Sequence, residues 1–198
     1  MSTFAIIMLA ATAFFAYQIY RHVNTLEDQK GQESESVIAP IKLTTVNTAT
    51  SLIDEADEAY SEGDLERALD KLTKANVIFP NNPEILNKLA FVNGKLGNRQ
   101  VAIEWYKHSL ELDANDDLTH NAIASMYKGE GLFLLAKEHY EKALHIDDEY
   151  AVTYYNYGNL LADMGEFQKA KEMYGRALEL QDEFPEARAA LSSLRGNE

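Results

Sequence analysis

Glycine recurs in this chain at a spacing of 34 residues, as Gly63, Gly97, Gly131 and Gly165. Other columns keep the same period: Ala68, Ala102, Ala136 and Ala170; Ala75, Ser109, Ala143 and Ala177; Leu72, Tyr106, Tyr140 and Tyr174; and Ala56, Ala90, Ala124 and Gly158. A period of this size held in several columns describes an array of like units, none of which buries its apolar face alone. Ahead of each glycine, apolar residues recur at helical spacing, as in Leu86, Leu89 and Ala90 or Tyr154, Tyr157 and Gly158. The glycine ends that helix because it enters the left-handed region without a Cβ clash. A second helix follows, with Ala102, Ile103, Tyr106, Ser109 and Leu110 on one face and small residues where its partner approaches. Pro80-Asn81-Asn82-Pro83 closes one unit and opens the next, with Asn82 as N-cap and Pro83 in the first helical turn. Each unit is therefore a helical hairpin and the fold is all-α, with repeats at 49–82, 83–116, 117–150 and 151–184. A single helix at 185–195 covers the last one, its Ala187, Leu191 and Leu194 on one face and Glu186, Arg188, Ser192 and Arg195 on the other.

The repeat length and its small-residue, glycine and aromatic columns resemble the tetratricopeptide repeat, over about three quarters of the chain. That resemblance implies a right-handed helical solenoid of four tetratricopeptide hairpins plus one capping helix. It also implies that the first helix of each repeat lines a concave groove for an extended or helical peptide. The outward positions on those helices are Ile53, Asp54, Asp57 and Tyr60; Asn87, Lys88 and Phe91; Asn121, Ser125 and Lys128; and Tyr155, Asn156, Asn159 and Asp163. From these, Asn87, Phe91, Asn121, Ser125, Lys128, Tyr155, Asn156 and Asn159 are the expected partner-binding residues. Asparagine carries both a donor and an acceptor and so suits a peptide backbone of any sequence, while Phe91 and Tyr155 offer apolar contact. Chaperone-binding members of the family clamp a C-terminal carboxylate; here Asp54 and Asp57 would repel one, so chaperone docking is not expected. On the second helices Trp105, His139 and Met173 share a register that Lys71 breaks, and they are read as covering the neighbouring helix.

The N-terminal segment has a different character. Phe4 to Tyr20 reads FAIIMLAATAFFAYQIY, 17 positions without a charge, and Arg21 and His22 stop the run. This is the length and pattern of a single transmembrane helix preceding the solenoid, with Tyr17 and Tyr20 at the interface. A signal peptide would carry a basic n-region, which Met1 to Thr3 lacks. The expected anchor spans 1–23, and 24–48, rich in Gln, Glu, Ser and Thr, is a hydrated linker with a reach of about 25–30 Å. Arg21 and Lys30 beside a near-empty N-terminal flank favour a single-pass membrane protein whose body is cytoplasmic rather than periplasmic.

Charge narrows the partners. Residues 49–198 hold 15 Lys+Arg against 28 Asp+Glu, so the body is repelled by nucleic-acid phosphates and anionic headgroups and favours a neutral or basic protein. With no cysteine there is no disulfide, thiolate metal site or cysteine nucleophile. His108, His120, His139 and His145 sit on different repeats or turns with no metal-binding spacing, and are read as surface histidines. The acidic clusters Asp113 to Asp117 and Asp147 to Glu149 lie at repeat junctions and are read as helix caps. Phosphate loops and nucleophile elbows are missing, so neither a cofactor nor an enzymatic activity is expected. The expected function is a membrane-tethered adaptor that binds a partner in its groove and helps assemble a multiprotein complex. The alternatives are an extracytoplasmic (periplasmic) assembly factor for an envelope complex, or a self-associating membrane scaffold.

Overall fold

The computed structural model describes residues 48–195. The expected anchor lies outside the described residues, as does the expected linker except for Thr48, which is helical. Among the described residues all regular secondary structure is helical, and no helix is long and apolar enough to cross a membrane.

Helix α1 runs over 48–61. It is followed by α2 (Leu65–Ile78), α3 (Pro83–Lys95), α4 (Arg99–Leu112), α5 (Asp117–Gly129), α6 (Phe133–Ile146), α7 (Ala151–Asp163), α8 (Phe167–Leu180) and α9 (Pro185–Arg195). The helices pack in chain order: α3 with α4, α5 with α6 and α7 with α8 as hairpins, with α2 on α3, α4 on α5, α6 on α7 and α8 on α9 joining them. The first helices α5 and α7 also touch each other. Such neighbour-only packing is what a tandem repeat of hairpins dictates, because each unit hides its apolar face against the next.

Local chemistry explains where the helices start and stop. At the end of α3, Gly97 has φ +86°, its N–H donates to the Gly94 carbonyl (3.1 Å), and Asn98 N–H donates to the Asn93 carbonyl (2.9 Å). These two bonds close the helix end around a left-handed residue. Gly63, Gly131 and Gly165 repeat the arrangement, which is why glycine marks the period. Asn82 caps α3, accepting from Ile85 N–H at 3.2 Å, with Pro83 in the first turn. Of the acidic clusters, Asp116 does cap α5 through Thr119 N–H (3.0 Å). Asp113 and Asp147 do not cap a helix start. Each accepts from the N–H two residues on, at Asn115 and Glu149, because the turn places Asp116 and Tyr150 at the N-cap instead.

The small-residue columns lie at the centre of the packing. Ala56, Ala68 and Ala75 close the first core cluster with Leu72, Ile85 and Leu89; Ala90, Ala124, Ala136 and Ala170 close the larger one with Tyr106, Tyr140, Tyr157 and Tyr174. At Gly158 the approach is tightest: a Cβ there would stand 2.6 Å from the Tyr174 ring. Helix α9 buries Ala187 beside Phe184 and Ala177 and lays Leu191 and Leu194 on the larger cluster, covering the end of the array as its sequence predicts.

Candidate functional site

The expected partner-binding residues lie on α3, α5 and α7, and the structure shows each of them already engaged, Asn121 with Asn156 and the others with residues outside the set. Asn156 Nδ2 donates to Asn121 Oδ1 at 3.2 Å, and Lys128 Nζ meets Asp163 at 2.8 Å, both across the third and fourth repeats. Across the first and second repeats, Lys88 Nζ donates to both oxygens of Asp57 (2.7 and 2.8 Å) and Phe91 packs on Tyr60, ring centroids 5.3 Å apart. Asn87 Nδ2 donates to Asp116 at 3.0 Å, tying α3 to the start of α5. Ser125 and Asn159 turn toward their own hairpin partners, bonding the hydroxyls of Tyr140 (2.9 Å) and Tyr174 (2.8 Å). Tyr155 is half-buried between the rings of Tyr174 and Phe184 at 6.0 and 5.0 Å, so part of its apolar surface is spent on packing.

These bonds change what the asparagines offer. The pair Asn121–Asn156 uses one acceptor and one donor, so the Asn121 amide and the Asn156 carbonyl lie outside that bond. Asn87 Oδ1 is buried and has no hydrogen-bond partner among the described residues. The carboxylate of Asp116 is disfavoured by burial but accepts from Thr119, Asn87 and Leu118, which together hold it below the ordinary range and so keep it charged.

Between α3 and α5 the surface opens into a bay of about 340 Å³ lined by Glu84, Asn87, Lys88, Phe91 and Leu118, with Thr119, Ala122 and Tyr106 around its base. Phe91 and Leu118 are 42% and 53% exposed, so apolar surface is presented to solvent here rather than buried. The sequence pointed to Asn87 and Phe91; it did not single out Leu118, which becomes part of the site only when α5 packs beside α3.

On the second helices Trp105, His139 and Met173 are half-buried against the larger core cluster or, for His139, against Tyr127, in keeping with a covering role. Two features were not visible as such in the sequence. Val101, Leu132, Leu134, Leu135 and Phe167 are exposed around the first turns of α4, α6 and α8, Leu134 by 77%. The run Leu132 to Leu135 departs from the polar residues that precede Phe167 or Val101 in register, a signal that a column-by-column comparison would have found. The second is a correction. His120 and His139 are not separate surface histidines: both belong to the third hairpin, and their Nδ1 atoms lie 3.0 Å apart across it, because α5 and α6 run antiparallel from the Gly131 turn.

Comparison with known proteins agrees with this architecture. Residues 83–116 and 117–183, together half of the chain, match family models described as tetratricopeptide repeat. Among solved structures, MamA protein is 26% identical with a TM-score of 0.65, covering 75% of this chain and 81% of its own. PilF of Pseudomonas aeruginosa superimposes with a TM-score of 0.71 at 20% identity, covering 78% of this chain and 70% of its own. YrrB, described as a tetratricopeptide-repeat protein with an unusual peptide-binding site, gives 0.63 at 23% identity, covering 72% and 74%. The last two are likenesses of fold alone. No curated protein sequence matches.

Proposed function

Starting from a chain that belongs to the tetratricopeptide-repeat family, we propose that this protein is a membrane-tethered interaction adaptor that holds a partner's peptide against the first helices of its repeats and does no chemistry of its own. The observation that supports this reading is the bay between α3 and α5, where Phe91 and Leu118 stay exposed beside Asn87, Glu84 and Lys88. An apolar recess edged by a few hydrogen-bonding groups is what a peptide side chain needs to be anchored and oriented. Lys88 and Lys128 are already matched by Asp57 and Asp163, so the net acidity of the body is not offset along this face and a neutral or basic segment suits it best.

The apolar run Phe4 to Tyr20 supplies the tether in this reading, as a single pass with the body on the cytoplasmic side. Holding the repeats at the bilayer raises the local concentration of the peptide-binding face for membrane-bound partners and so favours assembly of a complex there.

Photo-crosslinking in native membranes tests the partner face. A crosslinker replacing Phe91 or Leu118 in the full chain should capture a discrete partner, and one replacing Val77, an exposed residue of α2, should not. Capture that persists unchanged after Phe91→Ser with Asn121→Ala removes the first-helix face from consideration. Sidedness is read separately: with no native cysteine, a single cysteine placed in 24–47 reacts with an impermeant thiol reagent in intact cells only if the body faces outward.

A further inference from the structure

One pair of positions sets the third hairpin apart. By the 34-residue period, His120 and His139 stand where the second hairpin has Leu86 and Trp105 and the fourth has Tyr154 and Met173. Two columns that hold large apolar or aromatic residues in the adjoining hairpins thus each carry an imidazole here. His120 is 7% exposed, its Nδ1 is 3.0 Å from Nδ1 of His139, and its Nε2 is 3.3 Å from the Ala114 carbonyl oxygen.

Proton counting fixes the roles. A carbonyl only accepts, so Nε2 of neutral His120 carries the hydrogen and its Nδ1 is left as an acceptor. The hydrogen in the bridge therefore belongs to Nδ1 of His139, and every ring nitrogen but Nε2 of His139 is committed. One added proton has a place, at that Nε2, and it puts a charge in a half-buried site. A second would set two N–H groups and two positive charges against each other across the bridge, which then breaks.

The surroundings favour the neutral pair. Burial is the largest influence on both rings; Lys142 on α6 opposes a positive charge on either, and Lys107 on α4 opposes one on His139. Asp116 and Asp117 at the start of α5 attract one on His120, and Glu138 attracts one on His139, though Glu138 is paired with Lys142 at 2.7 Å. The Tyr127 ring of α5 packs on His139, and the cavity of about 540 Å³ beside His120 is lined also by Glu141 and His145. The outcome is that His120 is held below the usual imidazole range and His139 is pushed down to about 4.

We propose that the His120–His139 bridge is a proton-operated latch, which clamps α5 to α6 while both rings are neutral and lets the third hairpin loosen ahead of its neighbours when acid protonates the pair. The sign follows from linkage. Unfolded imidazoles bind protons near 6.5, and the folded ones do so only at lower pH, so the unfolded or opened chain takes up more protons in between. The stabilisation is complete above about pH 6.5 and is lost as the pH falls toward about 4, where His139 titrates. Any consequence for partner binding rests on the reading of the first-helix face given above, since α5 carries Asn121, Ser125 and Lys128; the latch itself is tested without a partner.

Imidazole nitrogen-15 spectra of the full chain should show His120 as the Nε2–H tautomer and His139 as the Nδ1–H tautomer at about pH 7.5. Amide exchange, corrected for intrinsic rate, should lose protection in α5 and α6 by about tenfold more than in α3 and α4 when the pH is lowered to about 4.5. In His139→Gln, whose amide keeps a donor for His120 but cannot titrate, that selective loss should shrink severalfold. The opposite tautomers, uniform loss along the array, or the same selective loss in His139→Gln would overturn the latch. The spectra and exchange of the unsubstituted chain decide the matter even if that variant does not fold.

Discussion

In the third hairpin Tyr140 shares a hydrogen bond with Ser125, and the small residue of its first helix is Ala124; in the fourth, Tyr174 donates to Asn159 and its ring rests on Gly158, which has no Cβ to spare. Burial pushes both phenols up to about 12, so each stays neutral at any ordinary pH. The two hairpins share every column of the repeat, yet one is latched by a titratable pair and the other by ring packing, Tyr155 of α7 lying against Tyr174 and Phe184. Identical periodicity thus leaves room for units of unequal response. The columns specify that helices approach, and the residues between them specify what holds the approach closed.

The largest expected effect is common to both hairpins. Tyr140→Ala should lower stability by about 3–5 kcal/mol, as removal of a fully buried ring does, and Tyr174→Ala by a similar amount. A difference beyond about 2 kcal/mol in denaturant titrations would mean that the hairpins do not carry equal shares of the core. Gly158→Ala separates them: the new Cβ at 2.6 Å from the Tyr174 ring should outweigh the helix-propensity gain and leave a net loss of about 1–2 kcal/mol. The mirror change, Ala124→Gly, should cost about 1–2 kcal/mol, from helix propensity together with the loss of a fully buried methyl. If Gly158→Ala is instead stabilising, the ring gives way and the fourth hairpin is no tighter than the third.

Exchanging the odd column is the next test. His120→Leu with His139→Met gives the third hairpin residues of the kinds its neighbours use, and should flatten the fall of the full chain's melting temperature between about pH 6.5 and 4.5 by about 2–4 °C. A pH profile parallel to that of the unsubstituted chain would place the acid sensitivity elsewhere. The smallest effect belongs to the inter-repeat pair Lys128–Asp163, which is partly exposed on both sides: Lys128→Ala should cost less than about 1 kcal/mol and lose what effect it has in high salt.

Whereas of the acidic clusters read as caps Asp116 serves as one and Asp113 and Asp147 do not, the repeat, its hairpins, the glycine turns, the cap at Asn82 and the closing helix were all legible in the sequence. Each is a local matter: a helix period, a left-handed glycine, a side chain reaching an N–H three residues on. The first-helix face was legible as a set of positions, because a fixed period places Asn87, Asn121 and Asn156 on equivalent helices. What only the tertiary structure decided is which of these groups remain available. Asn121 and Asn156 bond each other, Lys128 is matched by Asp163, Ser125 and Asn159 turn to tyrosines, and Leu118 joins Phe91 at a bay that exists only between two packed repeats. The same holds for His120 and His139, whose 19-residue separation conceals a contact made by the antiparallel return of the chain. A side chain's period is written in its own sequence, but its partners lie on another helix, and they are fixed only once the helices meet.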